Sequence, residues 1–239
     1  MKLMRNRVAF SVVLALYGLS SASAQTTTEP AQVTGVGPWT TAPVFTIGET
    51  INGYTPPGIP DGMGAFERDD EVVIVSNHEL RSAQGYPYFL ANGAELTGAR
   101  VSYLSFDKDS RELMDAGLAY DTIYNRAGLP VTDSSDLEFG GLNRLCSAGS
   151  FSKGQAGFVD DVFLTGEETG GGTEFALDVA NGELWALPWM VRAAWESVAS
   201  CARSCASSRK AARSGSSSTS ARPLARPSRS PSTKRSTPR

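Results

Sequence analysis

Short apolar runs, each stopped by Asp, Asn or Gly, dominate the middle of the chain and push it toward sheet. Glu71-Val72-Val73-Ile74-Val75-Ser76 lies between Asp69-Asp70 and Asn77. Residues 101–106 alternate, turn through Asp107-Lys108-Asp109-Ser110 and return over 113–120. Asp161-Val162-Phe163-Leu164-Thr165 is a further run. Phe175-Ala176-Leu177-Asp178 turns at Asn181-Gly182 and returns as Leu184-Trp185-Ala186-Leu187. Asn-Gly between apolar runs is the strongest short hairpin signal. No long stretch of helical period competes with these strands, so the body is expected to be all-β. The hairpins at 101–120 and 174–187 share one plan, a strand ending in Asp, a polar turn and a returning strand. Repeated antiparallel units of this kind suit a β-propeller or a β-sandwich. The body is too short to close a full ring of four-stranded blades, and an open ring leaves edges that proteins normally avoid. It therefore reads as a partial β-propeller, the front part of something longer.

The ends differ from this body. Lys2, Arg5 and Arg7 precede an apolar stretch from Val8 to Leu19, and Ala22-Ser23-Ala24 is a small-x-small cleavage site. Residues 1–24 are thus expected to be a secretory signal peptide. The apolar stretch falls short of the roughly 20 residues that a bilayer span needs. Periplasmic or extracellular localisation follows, in an oxidising compartment. Ten of the 22 basic residues lie in 201–239, which holds no acidic residue. The first 200 residues therefore set 12 basic against 25 acidic residues, a balance suited to binding multivalent cations. Residues 199–239 are Ser, Arg, Ala and Pro with few large apolar side chains, a composition expected to be disordered. A basic tail of this kind can neutralise phosphates, yet it has no aromatic residue to stack on bases. It reads instead as out-of-frame translation of a GC-rich gene, and no nucleic acid partner is expected. Cys201 and Cys205 then carry no meaning, which leaves Cys146 as the one relevant thiol of the body at 25–198.

Three short segments carry the chemistry. Asn77-His78-Glu79 closes an apolar strand, Arg144-Leu145-Cys146-Ser147 contains the thiol, and Thr165-Gly166-Glu167-Glu168-Thr169-Gly170-Gly171 contains paired carboxylates. Carboxylates suit hard cations such as calcium, and a thiolate beside carboxylates suits iron. Neither needs a Ser-His-Asp set, and His78 is the only histidine. Glu167 and Glu168 repel unless a cation or solvent offsets them, and the glycines behind them permit close backbone approach. Asp61 and Asp178 read as turn formers. Trp185, Trp189 and Trp195 read as core or interblade packing.

Taken together, Pro60-Asp61-Gly62-Met63-Gly64-Ala65-Phe66, Val75-Ser76-Asn77-His78-Glu79-Leu80, Leu96-Thr97-Gly98-Ala99-Arg100-Val101-Ser102, Arg144-Leu145-Cys146-Ser147, Thr165-Gly166-Glu167-Glu168 and Arg192-Ala193-Ala194-Trp195-Glu196 give a chain that resembles the PhoX-type secreted alkaline phosphatases over roughly residues 35–198. Val191 departs from the pattern, where a Gly is expected before the Arg. The resemblance implies a six-bladed propeller with iron and calcium at its centre, hydrolysing a small-molecule phosphate ester. By the same resemblance Glu79, Cys146, Glu167 or Glu168, and Glu196 are metal ligands. Arg192 contacts phosphate oxygens, and His78 is either a structural hydrogen-bonding residue or an acid-base group. Two other classes stay open: a non-catalytic calcium-binding secreted propeller, and a propeller esterase or lactonase.

Overall fold

The computed structural model describes residues 27–199; the segments expected to be a signal peptide (1–24) and a disordered basic tail lie outside them, apart from Ala199. Within that span the chain is all-β, with two short 3-10 turns at Ser134–Asp136 and Gln155–Gly157. The strands are β1 (Pro60–Arg68), β2 (Glu71–His78), β3 (Tyr88–Phe89), β4 (Glu95–Leu96), β5 (Arg100–Asp107), β6 (Leu113–Leu118), β7 (Thr122–Tyr124), β8 (Leu145–Phe151), β9 (Val162–Gly172), β10 (Glu174–Asp178), β11 (Glu183–Ala186) and β12 (Ala193–Ala194). They form two main sheets, neither closed on itself. The first is antiparallel, in the order β1-β2-β5-β6. The second runs β12-β9-β10-β11-β7, with β8 also paired to β9 and β7 parallel to β11. A two-residue ladder joins β3 to β4.

The expected hairpins at 101–120 and 174–187 appear as β5-β6 and β10-β11. Asp178 does form its turn, accepting from the backbone N–H groups of Ala180 and Asn181, each at 3.1 Å. Two segments exceed expectation. β2 continues through Asn77 and His78, and β9 does not stop at Thr165 but runs on through Gly172. The glycine-rich stretch after Glu168 thus belongs to the strand, with β12 laddered against its two ends, Glu168 and Gly172, across a register shift.

One apolar core lies between the sheets. Phe66, Val73, Val75 and Val101 of the first sheet meet Phe163, Phe175, Leu177 and Leu184 of the second, with Leu96, Ile123 and Leu142 from connecting segments. β1 packs directly on β8. A Cβ on Gly62 would collide with the Ala148 and Ser147 backbone, and one on Gly64 would collide with Ser150. These two glycines therefore let the sheets approach. Asn77, wholly buried, adds a polar link: its amide donates to the Cys146 carbonyl and to Thr165 Oγ1, the latter at 2.8 Å. Tryptophan behaves differently from expectation. Trp185 stacks on Tyr124 at 3.6 Å between ring centroids, whereas Trp189 is 95% exposed. It lies in the turn after β11, closed by the Met190 N–H to Leu187 carbonyl bond, where its side chain stays in solvent.

Phe163 is fully buried where the two sheets meet. Phe163→Ala is expected to lower unfolding free energy by about 3–5 kcal/mol in urea denaturation. A loss below about 1 kcal/mol would show that the sheets do not share this core.

Candidate functional site

Two β-bulges face each other where β1 packs on β8. In β1 the register slips between Pro60 and Met63, and in β8 between Leu145 and Ala148. A bulge sets two residues against one and re-aims side chains. The two bulges point Asp61 and Cys146 toward each other, with the sulfur 3.7 Å from Asp61 Oδ2. Glu79 leaves the end of β2 beside them, and Glu168 comes from β9. Arg144, which opens β8, bonds Glu79 Oε1 through Nε at 2.8 Å and Nη2 at 2.6 Å, and Glu168 Oε2 through Nη2 at 2.5 Å. Five reactive side chains from four segments thus share one place.

The electrostatics follow from crowding. Burial, then the charges of Asp61, Glu168 and Glu79, push the Cys146 thiol up to about 11, so it is neutral near pH 7. Partial burial, Glu196 and Glu79 push Glu168 up against the pull of Arg144. Glu196 is exposed and reaches this cluster only through its field at Glu168. Arg144 is itself in the left-handed region at φ 52°, which costs a non-glycine residue about 1 kcal/mol. Its amide donates to the Leu80 carbonyl at 2.7 Å and its carbonyl accepts from Glu168 at 2.9 Å, fixing the corner.

Strand alternation separates the paired carboxylates, since neighbours on a strand face opposite sides. Glu168 faces the cluster. Glu167 faces away and is buried; its oxygens accept from the Asn143 N–H at 3.0 Å and the Thr173 N–H at 2.9 Å. Burial lifts its carboxyl to about 7 despite those two bonds. Arg192 lies on Glu167's side, not with Cys146. It pairs with Glu138 at 2.7 Å and edges a cleft of about 250 Å³ that Glu167 also lines. Glu167 and Arg192 therefore do not join Glu79, Cys146 and Glu168.

His78 is also turned from the cluster. Its Nδ1 lies 3.1 Å from the Gly58 carbonyl and its Nε2 2.7 Å from Ser102 Oγ. Ser102 Oγ in turn lies 2.6 Å from the Tyr54 hydroxyl. A neutral ring satisfies every member of that chain, donating from Nδ1 and accepting at Nε2. Burial depresses its pKa to about 4, with Arg100 adding to the effect. An imidazole bound at both nitrogens is a structural post, and no substrate-facing nitrogen is left for proton transfer.

Among the described residues, no group of three or more His, Cys, Asp and Glu side chains is arranged to hold one metal ion. The guanidinium of Arg144 occupies the space between Glu79 and Glu168. The donor chemistry nonetheless fits calcium and iron: three carboxylates and a thiol, with orphaned buried polar atoms around them. Among the described residues, Asn77 Oδ1 and Ser147 Oγ, next to the Cys146 main chain, have no hydrogen-bond partner. The Arg144 side chain is one-third exposed.

No family model, curated protein or solved structure matches the chain. The site thus stands on its own geometry. Sequence reading missed Asp61, Arg144 and Glu174. Asp61 resembled a turn residue, and only the β1 bulge turns it to the sulfur. Arg144 adjoins Cys146 in the sequence, but its ion pairs need β2 and β9 in place. Glu174 gave no signal, being a single acid after a glycine run.

Glu174 is fully buried beside Gly166, its partner across the β9-β10 ladder, beneath Trp195. Burial alone holds its carboxyl near 7. A raised acid stabilises the fold below its unfolded pKa and loses that contribution as pH rises through the folded value. Glu174→Gln is therefore expected to match wild type at pH 5 and to exceed it by up to roughly 3 kcal/mol at pH 8, read by denaturant titration at both. An equal difference at the two pH values would show that Glu174 is already compensated.

Proposed function

We propose that this protein hydrolyses small-molecule phosphate monoesters at a calcium- and iron-dependent centre formed by Asp61, Glu79, Cys146 and Glu168. The observation that carries this reading is the convergence of those four side chains, from distant segments, around one arginine. The two sheets are read as adjacent blades of a β-propeller. In support, β1-β2-β5-β6 and β8-β9-β10-β11 are both antiparallel four-strand units, and they pack through their first strands. Such packing around a central axis would bring first-strand residues inward, as Asp61 and Cys146 are.

Each residue has a distinct part. Glu79, Glu168 and Asp61 supply hard oxygen donors, and Cys146 supplies a soft one. The thiol sits near pH 11 without a cation, so ligation must release its proton. Grouped cations would neutralise phosphate charge and lower the pKa of a bound water. Arg144, released from its carboxylates, offers a planar fork that matches two phosphate oxygens. The same Nε and Nη2 edge now converges on one oxygen of Glu79. Glu196 tunes Glu168 from the rim. His78 holds the β2 end rigid through Gly58 and Ser102.

The test uses the purified full chain, loaded with iron and calcium, on an aryl phosphate and an aryl carboxylic ester side by side. Phosphate release, removed by Glu79→Gln and by Cys146→Ser, is expected. Turnover of the ester alone would assign a carboxylic esterase or lactonase. Calcium-dependent stability with no turnover of either substrate would assign a binding module. Either result would overturn the phosphatase reading.

A further inference from the structure

Glu167 does not reach the cluster, yet it is tied to the corner that builds it. Its Oε1 accepts the Asn143 N–H at 3.0 Å and its Oε2 accepts the Thr173 N–H at 2.9 Å. Asn143 immediately precedes Arg144, the residue held at φ 52°. Other bonds hold the same corner: Ala99 N–H to the Leu142 carbonyl at 3.1 Å, Arg144 N–H to the Leu80 carbonyl at 2.7 Å, and Ser82 N–H to Asn143 Oδ1 at 3.1 Å. The Glu167 side chain is the one acid among them, and it ties two backbone amides from separate segments at once. It is also buried, at 2% exposure, on the wall of the cleft that it and Thr173 both line. Losing it would leave the buried Thr173 N–H and the half-buried Asn143 N–H without their acceptor.

We infer that Glu167 is a positioning residue: its carboxylate clamps the Asn143 and Thr173 amides and so holds Arg144 and Cys146 where they meet Asp61, Glu79 and Glu168. The inference rests on the reading of that cluster as the functional centre. The mechanics are direct. Glu167 and Glu168 are neighbours on β9 and face opposite sides, so one strand grips the corner from behind and meets its arginine in front. Without the clamp, the left-handed Arg144 backbone loses a restraint that opposes its intrinsic preference. The guanidinium then leaves the two carboxylates, and the bulge carrying Cys146 loosens with it. A carboxylate with a merely structural part would change stability and leave the thiol's surroundings as they are.

Native-state alkylation of Cys146 by iodoacetamide, resolved by peptide mass spectrometry from Cys201 and Cys205, reads this directly. The full chain is compared as wild type, Glu167→Ala, Glu167→Gln and Leu177→Ala, the last a core lesion on β10 away from the corner. Glu167→Ala is expected to label Cys146 about tenfold faster than wild type. Glu167→Gln, whose carbonyl keeps one of the two bonds, is expected to fall between. Leu177→Ala is expected to label at the wild-type rate under conditions where it is folded. Equal labelling of Glu167→Ala and Leu177→Ala would overturn the inference. If Glu167→Ala fails to fold, wild-type labelling of Glu167→Gln overturns it equally. Labelling needs neither metal nor substrate, so a chain that responds as expected but hydrolyses no phosphate ester would sink the function and leave the positioning role standing.

Discussion

A single guanidinium balances the charge at the heart of this molecule. Arg144 bonds Glu79 and Glu168 at 2.5–2.8 Å in a place that also holds Asp61 and a buried thiol. Remove it, and acids from two sheets face each other with nothing between them. Buried or half-buried like charges are costly unless paired. The arrangement therefore demands a positive group at this point, and Arg144 or a cation can each meet the demand. On the proposed reading, that exchange would make the cluster a site as well as a salt bridge.

Backbone geometry explains why these groups meet. The facing bulges in β1 and β8 would be defects in a plain sheet. Here they turn Asp61 and Cys146 toward each other, and Gly62 removes the side chain that would hold the strands apart. Behind them, Asn77 ties the end of β2 to the Cys146 carbonyl and to Thr165, so the first sheet's contribution is fixed relative to the second. His78 fixes the same end from the other face through Ser102. The cluster is a product of strand ends and bulges, and the apolar core below supplies only their spacing.

Much of the strand content was legible in the sequence, because alternation and Asn-Gly turns act locally. β2, β5-β6 and β10-β11 were visible for that reason. β1, β7, β8 and β12 were not: β7 pairs with β11 and β12 with β9, not with a neighbouring strand, while β1 and β8 pair with the next strand but carry bulges that break their alternation. Of the candidate site, Glu79, Cys146 and Glu168 were found together. The choice between Glu167 and Glu168 was illegible until the strand was seen to continue past Thr165, after which alternation decided it. Arg192 and His78 were placed near the chemistry by proximity to motif residues, while burial and an ion pair to Glu138 carry them elsewhere. Asp61 and Arg144 escaped because a bulge and a positive φ leave no mark in composition.

The central claim is that Cys146 and the surrounding carboxylates hold one cationic centre together. X-ray absorption at the iron edge of the iron-loaded full chain tests it most directly. The account predicts a sulfur scatterer in the first shell that disappears in Cys146→Ser, with oxygen scatterers remaining. An iron shell of oxygen and nitrogen only, unchanged by that substitution, would contradict it.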